Sequence, residues 1–139
     1  MKIGVIRVRG SIRVRKKIKD TLIMLRLHNK NHCIVVEDKP NIMGMIKKVK
    51  DYITYGEIDE ETLKLLFEKR GEEFKEKTGE KDNKTNKFIV YNNKKYKKYF
   101  RLNMPKKGYG RKGTKKSFSE GGALGYRGKN INDLIRRMV

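Results

Sequence analysis

Throughout residues 1–70, short β-branched runs alternate with stretches whose apolar residues recur every three or four positions, and this alternation restricts the fold more than any other feature of the chain. Lys2–Arg9 reads as a strand. Its Ile3 and Val5 fall on one face and its Ile6 and Val8 on the other, as expected of a central strand covered on both sides. After the break at Gly10-Ser11, Ile18, Leu22 and Leu25, with Thr21 and Met24 beside them, predict a helix over Lys16–Leu27, and Asn29 and Asn31 offer a stop. His32–Val36 is a second strand, and Glu37-Asp38-Lys39-Pro40 is a turn with Pro40 suited to the first helical position. Ile42, Met45, Ile46, Val49 and Ile53 stripe a helix over Asn41–Ile53, and Ile53-Thr54-Tyr55 suits a third short strand ending at Gly56. Asp59 is a plausible N-cap, Glu60 and Glu61 suit the first turn of a helix, Leu63, Leu66 and Phe67 give it an apolar edge, and Gly71 stops it. Strand–helix–strand–helix–strand–helix indicates a small α/β sandwich, one sheet with helices packed on it.

The rest of the chain is less periodic. Residues 72–87 are charged and read as a loop. Phe88–Tyr91 and Tyr96–Leu102 are β-prone runs around Asn92-Asn93, compatible with a hairpin. Residues 103–129 mix Gly, Lys and Arg with little apolar content, yet Ile131, Leu134, Ile135 and Met138 follow at i, i+3, i+4 and i+7. A terminal amphipathic helix after a Gly-rich arm implies that the arm folds back on the core. The expected organisation is a core over residues 1–71, a charged insertion over 72–98 and a basic arm with its helix over 99–139.

Charge separates these parts. The 139 residues carry 37 Lys and Arg against 16 Asp and Glu, a net +21. Residues 1–50 and 81–139 are strongly basic, whereas residues 51–80 hold ten acids and five bases. So dense a charge needs a polyanion, and nucleic acid is the first choice. No run of ~18 apolar residues exists for a membrane span, and the N-terminus reaches Lys2 and Arg7 too soon for a signal peptide. A peripheral membrane helix would need the apolar stripes that the core uses. Cys33 is the single cysteine, so no intrachain disulfide is possible.

Arg7, Arg9, Arg13, Arg15, Lys16 and Lys17 lie at a strand end and a helix entry, where guanidinium forks and helical N–H groups suit phosphate; a solvated, aggregation-resistant edge is the alternative. His28 and Lys30 lie in a polar turn, and Lys47, Lys48 and Lys50 lie off the apolar stripe of their helix. Gly44, inside that helix, is read equally as a close approach to an RNA backbone or as tight helix–sheet packing. In the arm, Lys106, Lys107, Arg111, Lys112, Lys115, Lys116 and Arg127 surround Tyr109 and Tyr126, so cations for phosphate adjoin aromatics that stack on bases. Phe100 reads as core. His28, His32 and Cys33 are too few for a zinc site, which needs four ligands. Gly108–Lys116 lacks the strand–GxxxxGK[ST]–helix context of a nucleotide loop, and the acids of residues 57–76 have no His or Cys beside them for catalysis. No cofactor or enzymatic activity is expected.

The residues themselves resemble a known family. Ile6-Arg7-Val8-Arg9-Gly10, Asp20-Thr21-Leu22, Met24–His28, Asn31-His32-Cys33, Pro40, Gly44-Met45 and Val49–Ile58 are similar to the L-thirty family of large-subunit ribosomal proteins in its archaeal form, whose eukaryotic counterpart is called L-seven. Phe100-Arg101-Leu102, Pro105, Gly108, Glu120-Gly121-Gly122, Gly125 and Ile131–Ile135 continue the match, while residues 72–98 depart from it. The resemblance implies a ferredoxin-like α+β two-layer sandwich and a place in the cytoplasmic ribosome. It also implies binding to large-subunit rRNA near the 5S rRNA region. The acidic helix over residues 59–70 is then free to face neighbouring ribosomal proteins. A free-standing nucleic-acid chaperone or transcription regulator would share the charge.

Overall fold

The computed structural model describes residues 2–10, 12–72, 88–91, 93–109 and 111–139, so the loop expected over 72–87 lies almost wholly outside the described residues. The elements are β1 (Lys2–Arg7), α1 (Lys16–Met24), β2 (His32–Glu37), α2 (Pro40–Lys48), β3 (Ile53–Glu57), α3 (Glu60–Arg70), β4 (Phe88–Tyr91), β5 (Lys94–Lys97), β6 (Phe100–Arg101), β7 (Gly125–Tyr126) and α4 (Asn130–Met138). Five strands form one sheet in the order β6-β2-β1-β3-β7. β1 is central and antiparallel to both neighbours, pairing Ile6 with Cys33 on one side and with Thr54 on the other. β4 and β5 form a separate hairpin. The second β-prone run is divided: Lys94–Lys97 turns back on β4, and Phe100–Arg101 pairs instead with His32 and Cys33 of β2.

The two apolar faces of β1 are both used. Ile3 and Val5 pack with Leu22 of α1, Ile46 of α2 and Ile34. Ile6 and Val8 pack on the opposite face with Leu63, Leu66 and Phe67 of α3 and with Ile131, Leu134, Ile135 and Met138 of α4. The expected sandwich is therefore present as an α+β sheet with helices packed on it, and α4 folds back to help cover the second face. The four residues of the α4 stripe are fully buried, and burial of this kind contributes roughly 1.5–3 kcal/mol per large side chain.

Several boundaries differ from the sequence reading, most for a local reason. β1 ends at Arg7 because the N–H groups of both Val8 and Arg9 turn to one carbonyl, that of Tyr52 (3.0 and 3.2 Å). α1 ends at Met24 because Arg26 takes a left-handed conformation (φ 63°). Arg26 N–H then donates to Ile23 O and Leu27 N–H to Leu22 O, a Schellman closure in which Leu22 and Leu27, both fully buried, meet. α2 ends at Lys48, and Ile53 starts β3. Gly56 lies inside β3 and does not end it, for a Cβ there would stand 2.1 Å from Gly128 O and 3.0 Å from Ile131. Only glycine lets the arm and α4 lie this close to the sheet.

A candidate nucleic-acid interface at one end of the sheet

β1 ends where β2 and β3 begin, and four loops are tied together there. Asn31 N–H donates to Arg7 O (2.8 Å), Val8 N–H to Tyr52 O (3.0 Å) and Leu102 N–H to Asn31 O (3.2 Å). The arm crosses the same end. Asn103 N–H reaches Met138 O, and the Arg137 guanidinium donates to the carbonyls of Lys106 and Gly108 at 3.0 and 2.7 Å. The N–H groups of Ala123 and Leu124 bond Lys116 O just before Gly125 pairs with Thr54 at the start of β3. Basic segments separated by up to a hundred residues thus converge on one surface.

Most of the sequence-predicted residues are exposed there. Arg13, Arg15, Lys16 and Lys17 occupy the loop into α1 and its first turn, and His28 and Lys30 the turn into β2. Lys47, Lys48 and Lys50 stand at the end of α2. Lys106, Lys107, Arg111, Lys112, Lys115 and Lys116 are exposed along the arm. Arg9 is half-buried, its guanidinium 5.2 Å from the centre of the Tyr52 ring. Tyr126 is 55% exposed on the edge strand β7, its ring 5.5 Å from that of Tyr55 and its hydroxyl donating to Glu57 at 3.3 Å.

Arg7, Tyr109 and Arg127 are not part of this surface, a correction to the sequence reading. Their exposures are 1%, 6% and 5%. Arg7 points inward and donates to the carbonyls of Leu27 (2.7 Å), His28 (3.0 Å) and Arg9 (2.9 Å). Arg127 donates to the Thr54 hydroxyl (2.7 Å) and to the carbonyls of Tyr109 (3.0 Å) and Ala123 (2.9 Å), with its guanidinium 4.9 Å from the Phe118 ring. Burial pulls both below the ordinary arginine value, Arg127 to about 10. The Tyr109 hydroxyl donates to the Asn31 side chain, and burial pushes its pKa up to about 12. These side chains shape the loops that carry the exposed cations. A guanidinium satisfies several carbonyls at once, which suits it to the task.

The helix entries sharpen the electrostatics. α1 begins without a side-chain cap and without an acid in its first turn, and Arg15, Lys16 and Lys17 stand there instead. Positive side chains at the positive end of a helix dipole are unfavourable unless an anion approaches. α3 is the opposite case: Asp59 accepts from Thr62 N–H at 2.8 Å, and Glu60 and Glu61 follow. Glu57, beside Asp59, pairs with Ile3 at the far end of β1 from Arg7, so acidic and basic surfaces occupy opposite ends of the sheet.

Two further features belong to this surface. Ile12, between Gly10 and Arg13, is 90% exposed, and Arg13 beside it has φ 59°. Nothing local in the sequence marked it, since Val8 stands four positions before it and Val14 two after. Gly44 is exposed, and a Cβ there would meet nothing within 4 Å, so tight helix–sheet packing does not account for it. Glycine in a helix interior costs about 1 kcal/mol relative to alanine. His32 is buried and stacked on Tyr99 at 5.3 Å, Cys33 is buried and His28 is exposed. Among the described residues no three His, Cys, Asp or Glu are grouped to hold a metal ion.

Comparison with known proteins agrees with this architecture. The family model described as Ribosomal protein L30p/L7e matches residues 3–53. The chain is 49% identical to a large ribosomal subunit protein uL30 of Methanococcus maripaludis, all of both chains being covered. It is 47% identical to the uL30 of Nanoarchaeum equitans, over 98% of this chain and 97% of the relative. The chain belongs to the L30p/L7e family of ribosomal proteins. Within it the chain is of the archaeal form, a structural and non-enzymatic constituent of the large subunit in the cytoplasmic ribosome. The uL30 of Methanopyrus kandleri is 40% identical over 95% of this chain. The first alignment runs to 162 positions against 139 residues, so that relative has residues with no counterpart here.

Proposed function

We propose that this family member binds large-subunit rRNA through the basic end of its sheet, near the 5S rRNA region, and turns its acidic end toward a neighbouring ribosomal protein. The observation that carries the reading is the convergence of the loop before α1, the C-terminal end of α2 and the arm at one end, with the acids of α3 at the other. Exposed Arg13, Arg15, Lys16, Lys17, Lys112 and Lys116 neutralise phosphates, while Arg7 and Arg127 fix the loops from inside. At the other end Glu60 and Glu61 are exposed, and Arg136 reaches Asp59 and Glu61 only at 3.9 and 3.8 Å. That end offers a cationic partner most of its charge.

The test is a salt titration of binding to transcribed large-subunit rRNA, with and without 5S rRNA. Arg9→Glu combined with Arg13→Glu weakens binding and flattens the salt dependence by about one unit of slope per lost phosphate contact. An unchanged slope would reject this patch. Sucrose-gradient fractionation separates the ribosomal reading from that of a free chaperone or regulator. Co-sedimentation with the large subunit at high salt supports the first, and presence in the free fraction alone supports the second.

A further inference from the structure

We infer that the outer face of α2, centred on Gly44, is where the sugar–phosphate backbone of rRNA comes into direct contact with the helix main chain. The inference rests on the rRNA-binding reading above and adds a specific surface to it.

Gly44 is the one glycine inside a helix among the described residues. Most other glycines have an internal reason for being there: Gly56, Gly71 and Gly122 would drive a Cβ into backbone atoms, and Gly108, Gly113, Gly121, Gly125 and Gly128 have positive φ, while Gly10 lies in open space but outside any helix. Gly44 has neither reason. Its backbone is helical, and the space its side chain would fill is open. The chain therefore accepts a weaker helix with nothing gained inside the molecule. What the missing side chain does provide is a concave spot on the solvent side, where another backbone can reach the helix.

The neighbours of that spot indicate what reaches it. Residues three and four positions apart share a helix face. Around Gly44 these are Pro40, Asn41, Lys47 and Lys48, all exposed, while Ile46 is turned into the core. The face has a proline ring, an amide, an open main chain and two ammonium groups, with no large aliphatic or aromatic anchor. A protein partner buries apolar or aromatic anchors at the centre of its interface. A ribose–phosphate strand needs cations for its phosphates and close, polar, shape-matched contact for its sugars. The face also continues into the basic end of the sheet through exposed Lys50 and through Tyr52, whose carbonyl bonds Val8 and Arg9.

Gly44→Ala, Gly44→Leu and the pair Lys47→Gln with Lys48→Gln decide the matter, each in the full chain. The probe is large-subunit rRNA transcribed from the Methanococcus maripaludis sequence. Both Gly44 variants add helix propensity, so each free protein melts at a higher temperature than wild type. Binding moves the other way: Gly44→Leu binds roughly tenfold more weakly and Gly44→Ala less so, with the salt slope unchanged because no charge is removed. The lysine pair lowers the slope by about one to two units. If Gly44→Leu failed to fold, Gly44→Ala would carry the test alone. Wild-type binding together with undiminished binding by the Gly44 variants overturns this surface only. Failure of wild type itself to bind the rRNA overturns both this surface and the reading beneath it. Normal binding to free rRNA with exclusion from assembled subunits makes the face a protein contact and overturns the assignment to RNA.

Discussion

Arg127 donates from Nε to the hydroxyl of Thr54, 73 positions earlier, at 2.7 Å in the protein interior. The same guanidinium holds the carbonyls of Tyr109 and Ala123. One side chain thus fastens the Gly-rich arm to the start of β3. Arg127→Met would leave two carbonyls and a hydroxyl buried without their donor, a loss of about 3 kcal/mol. Arg127→Lys would recover little, because a single ammonium cannot span three acceptors. Urea unfolding measures the loss, and hydrogen exchange of residues 109–124 should show the arm losing protection first.

Asp59 makes the stability depend on acid. Hydrogen bonding from Thr62, with the charge of Arg136 adding to it, holds the carboxyl below its ordinary value of 3.8. A depressed carboxyl binds fewer protons in the folded state than in the unfolded one in acid. Its contribution is therefore complete above the ordinary value and disappears as the pH falls through the lowered one. Asp59→Ala should cost about 1 kcal/mol at pH 7 and less in strong acid, where the protonated carboxyl still accepts from Thr62 N–H but has lost its charge. Asp59→Asn keeps the cap and should remove this part of the acid dependence. Urea midpoints at several pH values check both.

Cys33 lies in the core under Phe100, and burial pushes its thiol up to about 12. The thiolate is the reactive form. Native protein at pH 8 should resist a thiol reagent, and labelling should appear only in step with unfolding in urea. Prompt labelling of the native protein would contradict the packing of β2 against β6.

The sheet and its coverings were legible because their signal is local. Ile3 and Val5 against Ile6 and Val8 announced a strand buried on both faces, and the α4 stripe announced a helix with one wholly buried side. The surface was half legible. Charge density picked out the basic segments, but their meeting at one end is a consequence of strand order, which no local pattern carries. Arg7 and Arg127 read as phosphate ligands since arginine is seldom buried; only the carbonyls converging on them from distant loops make burial favourable. The end of α1 was misplaced because its left-handed residue is Arg26, where a glycine would have marked the stop.

Ile12 supplies the last test. At 90% exposure its side chain gains nothing from the fold, and a left-handed residue follows it. On the rRNA-binding function proposed above, the flanking Arg9, Arg13 and Arg15 would bring phosphate to this loop, and beside phosphates lie the carbon-rich faces of riboses and unpaired bases. Covering an isoleucine there would contribute roughly 1.5–3 kcal/mol. Ile12→Ser should therefore leave the melting temperature of the free protein unchanged and weaken rRNA binding about tenfold or more, without altering the salt slope. Arg13→Gln should do the reverse, changing the slope by about one unit with a smaller effect at high salt. Equal affinities for wild type and Ile12→Ser would mean that the loop meets RNA by charge alone.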